Sequence, residues 1–353
     1  MLTTNRGISG LLADSGEARP RVSYRTDLVT ALLGVWFGIG LMIDAWAHSN
    51  LAELETFFTP WHAAFYSGFA AVSGWIMWQV LRNVRTGRRG VAAVPVGYLA
   101  GLLAIPGFAL FGLADMTWHT VLGIEQNIDI LFSPSHLGLV ATMALIISTP
   151  VRSAWSGLGT RPTLGQLVPA LISLAFATTL VSLFLSYGDA LQWSAEGIVR
   201  VFSDVEGGAA GDLASSMVIT NVVLLAPALL LARRWELPFG AITLLYAVIV
   251  LMPGAQEQFE NVSTLLSIVA GGLVADLLIR WLRPSASRRG AFWAFAALSA
   301  LATWTIYVLT ASAISGLPAV PELWTGAPIV AGLIGLLLGV LFLPNNVRHE
   351  AAA

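Results

Sequence analysis

Two stretches of this chain carry the same chemistry-bearing residues in the same order. The first runs Asp44-x-x-x-His48, then an acidic segment holding Glu53 and Glu55, then Phe58-Thr59-Pro60-Trp61-His62. The second runs Asp115-x-x-x-His119, then a segment holding Glu125 and Asp129, then Phe132-Ser133-Pro134-Ser135-His136. Four of the five histidines fall in these two stretches, and the fifth, His349, lies in the polar C-terminal tail. An Asp and a His four apart share one face of a helix. Thr59 and Ser133 precede a proline, the pattern of an N-cap followed by Pro at the first helical position. His62 and His136 then fall at the third helical position, near a positive helix end that disfavours imidazolium. Neutral imidazole is the form that binds metals.

Each stretch therefore predicts a helical hairpin that brings one carboxylate and two imidazoles together. Imidazole suits copper, zinc, iron and nickel, and a carboxylate adds charge compensation. Three such ligands leave a coordination position for water, dioxygen or substrate. A single motif is better explained by an interfacial histidine, a helix-stabilising Asp–His contact or half of a proton relay than by a metal. The recurrence of all three residue types favours a metal set: Asp44, His48, His62, Asp115, His119 and His136. Two arrangements stay open. Each hairpin holds its own ion, or the hairpins share one site of up to four His and two Asp, which extends to a dinuclear form. Glu53, Glu55 and Glu125 are candidates for bridging or outer-shell carboxylates.

The elements that must position these residues are membrane spans. Of 353 residues, 56% are hydrophobic and 11% charged, against roughly 25% charged in soluble domains. Apolar runs long enough to cross ~30 Å of hydrocarbon recur along the chain. The expected fold is all-α and polytopic, with about ten spans near 28–48, 59–81, 94–119, 132–151, 166–187, 212–232, 237–254, 259–280, 292–312 and 327–343. Residues 1–27 and 344–353 read as cytoplasmic tails, 28–151 as the two repeated hairpins, and 152–343 as spans five to ten. All 18 basic residues are arginine. All but Arg200 fall on one side of this span pattern, which places both termini in the cytoplasm by the positive-inside rule. The expected location is a plasma membrane of bacterial type, with the His/Asp groups at the extracytoplasmic face. The lipid bilayer is then the first partner. A net charge of −2 gives no case for nucleic acid. The absence of cysteine removes thiolate ligands and disulfides.

The segment Asp44-x-x-x-His48 followed by His62 resembles the metal-binding signature of the C subunit of particulate methane and ammonia monooxygenases. The resemblance implies copper held in the membrane by Asp44, His48 and His62 and, through the second stretch, by Asp115, His119 and His136. It covers about 20 residues per stretch. The histidine spacing here is slightly longer, and the duplication and ten spans depart from that subunit.

Three functions compete. One is a copper or iron oxidoreductase, monooxygenase-like, fed by a redox partner or quinol. Another is a metal transporter, sensor or insertion protein; against the transporter stands the near absence of ionisable residues at mid-membrane depth. The third is a zinc-dependent membrane hydrolase. Haem ligation leaves the two aspartates unexplained. Elsewhere, Asp189 with Trp193 reads as a faint third motif without histidine. Gln256, Glu257, Glu260 and Asn261 read as a polar turn, and Asp276 as an ion-pair partner of Arg280 four residues on.

Overall fold

A computed structural model describes residues 14–51, 58–123, 132–206 and 208–344, apart from the side chain of Ser49. Glu53, Glu55, Glu125, Asp129 and His349 lie outside the described residues. The described chain is all-helical, with only an isolated bridge between Ser285 and Arg288 and no strand.

The chain divides into two compact units, residues 1–158 with 165–180, and residues 159–164 with 181–353. The first unit contains α1 (Tyr24–Asn50), α2 (Pro60–Arg85), α3 (Leu99–Leu122), α4 (Pro134–Ile147), α5 (Thr149–Gly157) and most of α6 (Leu164–Phe184). The second contains α7 (Ala195–Val201), α8 (Ala209–Arg234), α9 (Ala241–Ile249), α10 (Leu251–Gln256), α11 (Val262–Leu282), α12 (Arg289–Ser315) and α13 (Pro321–Phe342). Among the described residues, eight helical segments are long and apolar enough to cross a membrane, with α4 and α5 counted together as one. This makes the chain a polytopic membrane protein. Two of the ten expected spans fall short of that measure. In α2, Tyr66, Trp75, Trp78, Gln79, serines and glycines dilute the apolar run. The pair α9–α10 covers only Ala241–Gln256.

In the first unit the helices pair as two hairpins, α1 against α2 and α3 against α4, which meet mainly through α2 and α3 and through α1 and α4–α5. The pattern of each helix dictates its facing. On α1, Leu32, Trp36, Ile39 and Ile43 are exposed at spacings of three and four, a lipid-facing stripe. Thr30, Phe37 and Asp44, seven apart, run down the buried face. On α3, Ala104, Phe108, Gly112, Asp115 and His119 form the buried stripe. The periodicity that buries Phe37 and Phe108 thus carries Asp44 and Asp115 inward.

An aromatic cluster joins three helices. Phe37 of α1 stacks on Phe65 of α2 at 5.2 Å and meets Phe108 of α3 edge-on at 5.1 Å, while Phe69 stacks on Phe108 at 4.3 Å. Such pairs add about 0.5–1.5 kcal/mol each beyond burial. Helices α1 and α2 approach at backbone distance where both carry glycine. A Cβ on Gly40 would lie 2.8 Å from Phe65 Cα, and one on Gly68 2.5 Å from Phe37 Cα. Small residues at a crossing are the usual device for close helix approach in lipid. Gly40→Leu is expected to cost about 1–3 kcal/mol through overpacking. Because Gly40 is one turn from Asp44, the same change should also part Asp44 from His62, read as lower metal retention along with a lower Tm.

The opposite end of this unit is tied by polar bonds. Asp27 accepts from Tyr98 Oη at 2.9 Å and Ser153 Oγ at 2.8 Å. Thr30 Oγ1 lies 2.9 Å from Tyr98 Oη and accepts from Trp75 Nε1 at 3.0 Å. Four segments of chain are thereby tied together at the end away from the His/Asp groups.

Candidate metal centre

The two triads form as the sequence spacing requires. His48 and His119 lie in the last turns of α1 and α3. His62 and His136 are the third residues of α2 and α4, after Pro60 and Pro134 at the helix starts. Each carboxylate presents one oxygen to each imidazole. Asp44 Oδ2 lies 4.0 Å from His48 Nε2, and Asp44 Oδ1 lies 3.7 Å from His62 Nε2. In the second triad, Asp115 Oδ2 lies 3.5 Å from His119 Nε2, and Asp115 Oδ1 lies 3.0 Å from His136 Nε2. Within each triad one ligand atom per residue falls within 4.8 Å of the others, a set able to hold a metal ion. Asp44, His62, Asp115 and His119 are buried, while His48 and His136 are part-exposed.

The triads also adjoin. The His119 ring centroid is 6.4 Å from that of His48, 6.3 Å from that of His62 and 5.6 Å from that of His136. Four imidazoles and two carboxylates therefore gather at one end of one compact unit. The two triads lie side by side, and each remains a separate group of ligand atoms.

The caps differ between the triads. Thr59 accepts from the His62 backbone N–H at 3.1 Å, the expected N-cap, and its hydroxyl lies 3.1 Å from His62 Nδ1. When His62 Nδ1–H donates to Thr59, the Nε2 lone pair faces Asp44, the orientation a ligand needs. Ser133, expected to cap α4 in the same way, makes no side-chain cap bond. Its hydroxyl lies 2.7 Å from Ser135 Oγ, which donates to Asp115 Oδ1 at 3.0 Å. The first motif has Trp61 where the second has Ser135, so Asp44 lacks this donor. Asp44 Oδ1 is buried and takes no hydrogen bond. A buried acceptor left so costs about 1–3 kcal/mol, more when charged. A cation between Asp44 and its histidines would remove that cost, and the donor set fits one.

Sequence reasoning passed over Ser135 and Tyr66. Tyr66 stands one turn after His62, its ring 6.4 Å away, and Gly112 leaves room for its hydroxyl. The four-residue spacing from His62 was the available signal. Ser135→Ala removes the donor to Asp115 and should weaken metal binding about 10–100-fold, the usual cost of an outer-shell partner. Competition with a colorimetric chelator would measure it.

The other polar groups have structural duties. Asp189 does not repeat the motif. It lies between two 3-10 turns and accepts from Ser182 Oγ at 2.7 Å, Leu191 N at 2.9 Å and Thr220 Oγ1 at 3.0 Å. Burial pushes its carboxyl up from the usual range, and these three donors oppose that rise. Asn261 donates to the Leu191 carbonyl, and Gln256 lies 3.4 Å from Gln192, within the polar turn expected there. Asp276 does not pair with Arg280. Its carboxylate accepts from Ile242 N at 3.1 Å, Thr243 N at 3.0 Å and Thr243 Oγ1 at 2.7 Å, capping α9 from α11. These main-chain donors are near in space and distant in sequence, so residue spacing did not reveal them.

The chain matches no family model, no curated protein and no solved structure.

Proposed function

We propose that this chain is a membrane metalloprotein that holds two copper ions in one cluster at the extracytoplasmic face and acts as an oxidoreductase. The observation that carries this reading is the position of His119, beside His136 and Asp115 of its own triad and within 6.4 Å of both histidines of the other. Six ligands, two of them anionic, suit two cations better than one. Nitrogen and oxygen donors without thiolate admit copper first, with iron or zinc next. The resemblance to the copper signature of the particulate monooxygenases supports the same order. Duplication of one hairpin accounts for the paired motifs, and the arginine asymmetry supports the outward facing.

Bound copper would supply one-electron chemistry toward dioxygen or an organic substrate. The protein's own part is to bind, orient and dry the site. The carboxylates fix the imidazole Nε2 atoms, and Thr59 and Ser135 fix ring and carboxylate. The aromatic cluster of Phe37, Phe65 and Phe108 lies deeper on the same helices, is buried, and keeps water from the inner side of the site. Electrons would come from a redox partner or quinol. Copper-loaded protein in nanodiscs should consume oxygen when given a water-soluble quinol, and Asp115→Ala should reduce that rate at least about 100-fold, as loss of a reacting-centre group does. Part exposure of His48 and His136 favours one second reading, metal delivery to a partner. Copper retention with no oxygen uptake, and transfer of copper to an apo acceptor, would replace the enzyme reading with that one. Retention of zinc alone would point to the hydrolase.

A further inference from the structure

We propose that a cleft in the second unit, at the C-terminal end of α11, binds a phosphate group, and that its source in the membrane is an anionic lipid headgroup. This site is independent of the metal cluster. The cleft has a volume of about 470 Å³ and is lined by Arg161, Arg280, Arg283 and Arg288, with Glu236 and Asp276 as its carboxylates. Both carboxylates are already engaged. Glu236 Oε2 receives Arg161 Nε at 2.8 Å. Asp276 is fully buried and spends its oxygens on the start of α9. Arg280, Arg283 and Arg288 therefore face the cleft with no carboxylate partner among the described residues.

Arg280 sits in the last turn of α11, and the loop that carries Arg283 and Arg288 is built. Arg283 adopts the left-handed conformation, φ 50°, and ends α11 ahead of Pro284. Ser285 bridges to Arg288, and the Ser285 and Ser287 hydroxyls lie 3.0 Å apart. Arg288 Nη1 reaches back to the Arg283 carbonyl at 3.4 Å. This brings guanidiniums and hydroxyls into one concave surface, and guanidinium forks match the oxygens of phosphate.

The apolar flank indicates the source. Leu273, Leu277 and Trp281 are exposed at four-residue spacing on α11, a stripe that ends beside Arg280. Phe239, also exposed, lines the cleft. A stripe for acyl chains that leads into an arginine pocket at a span end is the arrangement that selects acidic lipids.

Native mass spectrometry and thermal melting would test this on full-length protein in nanodiscs. Phosphatidylcholine alone would be compared with phosphatidylcholine containing phosphatidylglycerol. Wild type should retain phosphatidylglycerol at least about fivefold more than Arg280→Gln/Arg283→Gln/Arg288→Gln, and only wild type should gain Tm from it. Arg233→Gln/Arg234→Gln, with cations removed elsewhere, should behave as wild type. If the triple glutamine variant does not fold, the triple lysine variant keeps the charge and loses the forks, and retention should still fall. In detergent, inorganic phosphate should compete with phosphatidylglycerol. Stabilisation by inorganic phosphate without any phosphatidylglycerol effect would overturn the lipid source. Equal retention by wild type and the arginine variants would overturn the site.

Discussion

His119→Ala should deplete metal more than alanine at any of the other three cluster histidines. All four histidines belong to one triad each. His119 differs in having ring contacts to both histidines of the other triad. Losing His48, His62 or His136 should leave the other triad able to bind. Each of these variants is expected to keep about half of the wild-type metal. His119 stands beside rings of both triads, at 6.4, 6.3 and 5.6 Å. Its removal should reduce content below about a tenth and weaken residual binding by more than the 10–100-fold typical of outer-shell losses. Mass-spectrometric metal analysis of the four variants beside wild type would rank them. Equal half-losses at all four positions would mean two independent sites.

The two aspartates should respond with opposite signs when metal is absent. Asp44 Oδ1 is buried with no hydrogen bond. In chelator-treated protein, Asp44→Asn removes that buried charge and should raise stability by about 1–3 kcal/mol. Asp115 instead receives Ser135 at 3.0 Å and lies 3.0 Å from His136. Asp115→Asn leaves one acceptor oxygen for two partners and should lower apo stability by about 1–3 kcal/mol. With metal added, both variants should melt below wild type, because a ligand at a thousand times its Kd contributes about 4 kcal/mol. Thermal melts of three proteins with and without chelator would show the crossing for Asp44→Asn alone. A destabilised apo Asp44→Asn protein would show that the carboxylate is satisfied without metal.

Much of this was legible in the sequence because it is local. A four-residue spacing puts Asp and His on one face whatever the tertiary fold, and Thr-Pro or Ser-Pro sets where the next helix starts. That logic placed all six residues on the correct helix ends. It did not reveal that the hairpins bring His119 against His48 and His62, since that meeting depends on the Gly40–Gly68 approach and the Phe37–Phe108 contact. It read Ser133 as a cap, whereas the neighbouring Ser135 draws that hydroxyl toward Asp115. It paired Asp276 with Arg280 by spacing, although main-chain donors of α9 satisfy the carboxylate better than an exposed guanidinium. The seventh expected span, 237–254, carries an interrupting Pro253 near its end. The helix instead breaks at Val250 into two short pieces.

The most direct test of the central claim is metal stoichiometry and ligand type on one preparation, by mass spectrometry and X-ray absorption. Protein purified in detergent and loaded with copper should carry about two ions per chain, each surrounded by nitrogen and oxygen alone. The paired metal should also give a scattering signal that His119→Ala abolishes. Copper held by sulfur, or no ion retained in any reconstitution, would contradict a His/Asp metal cluster.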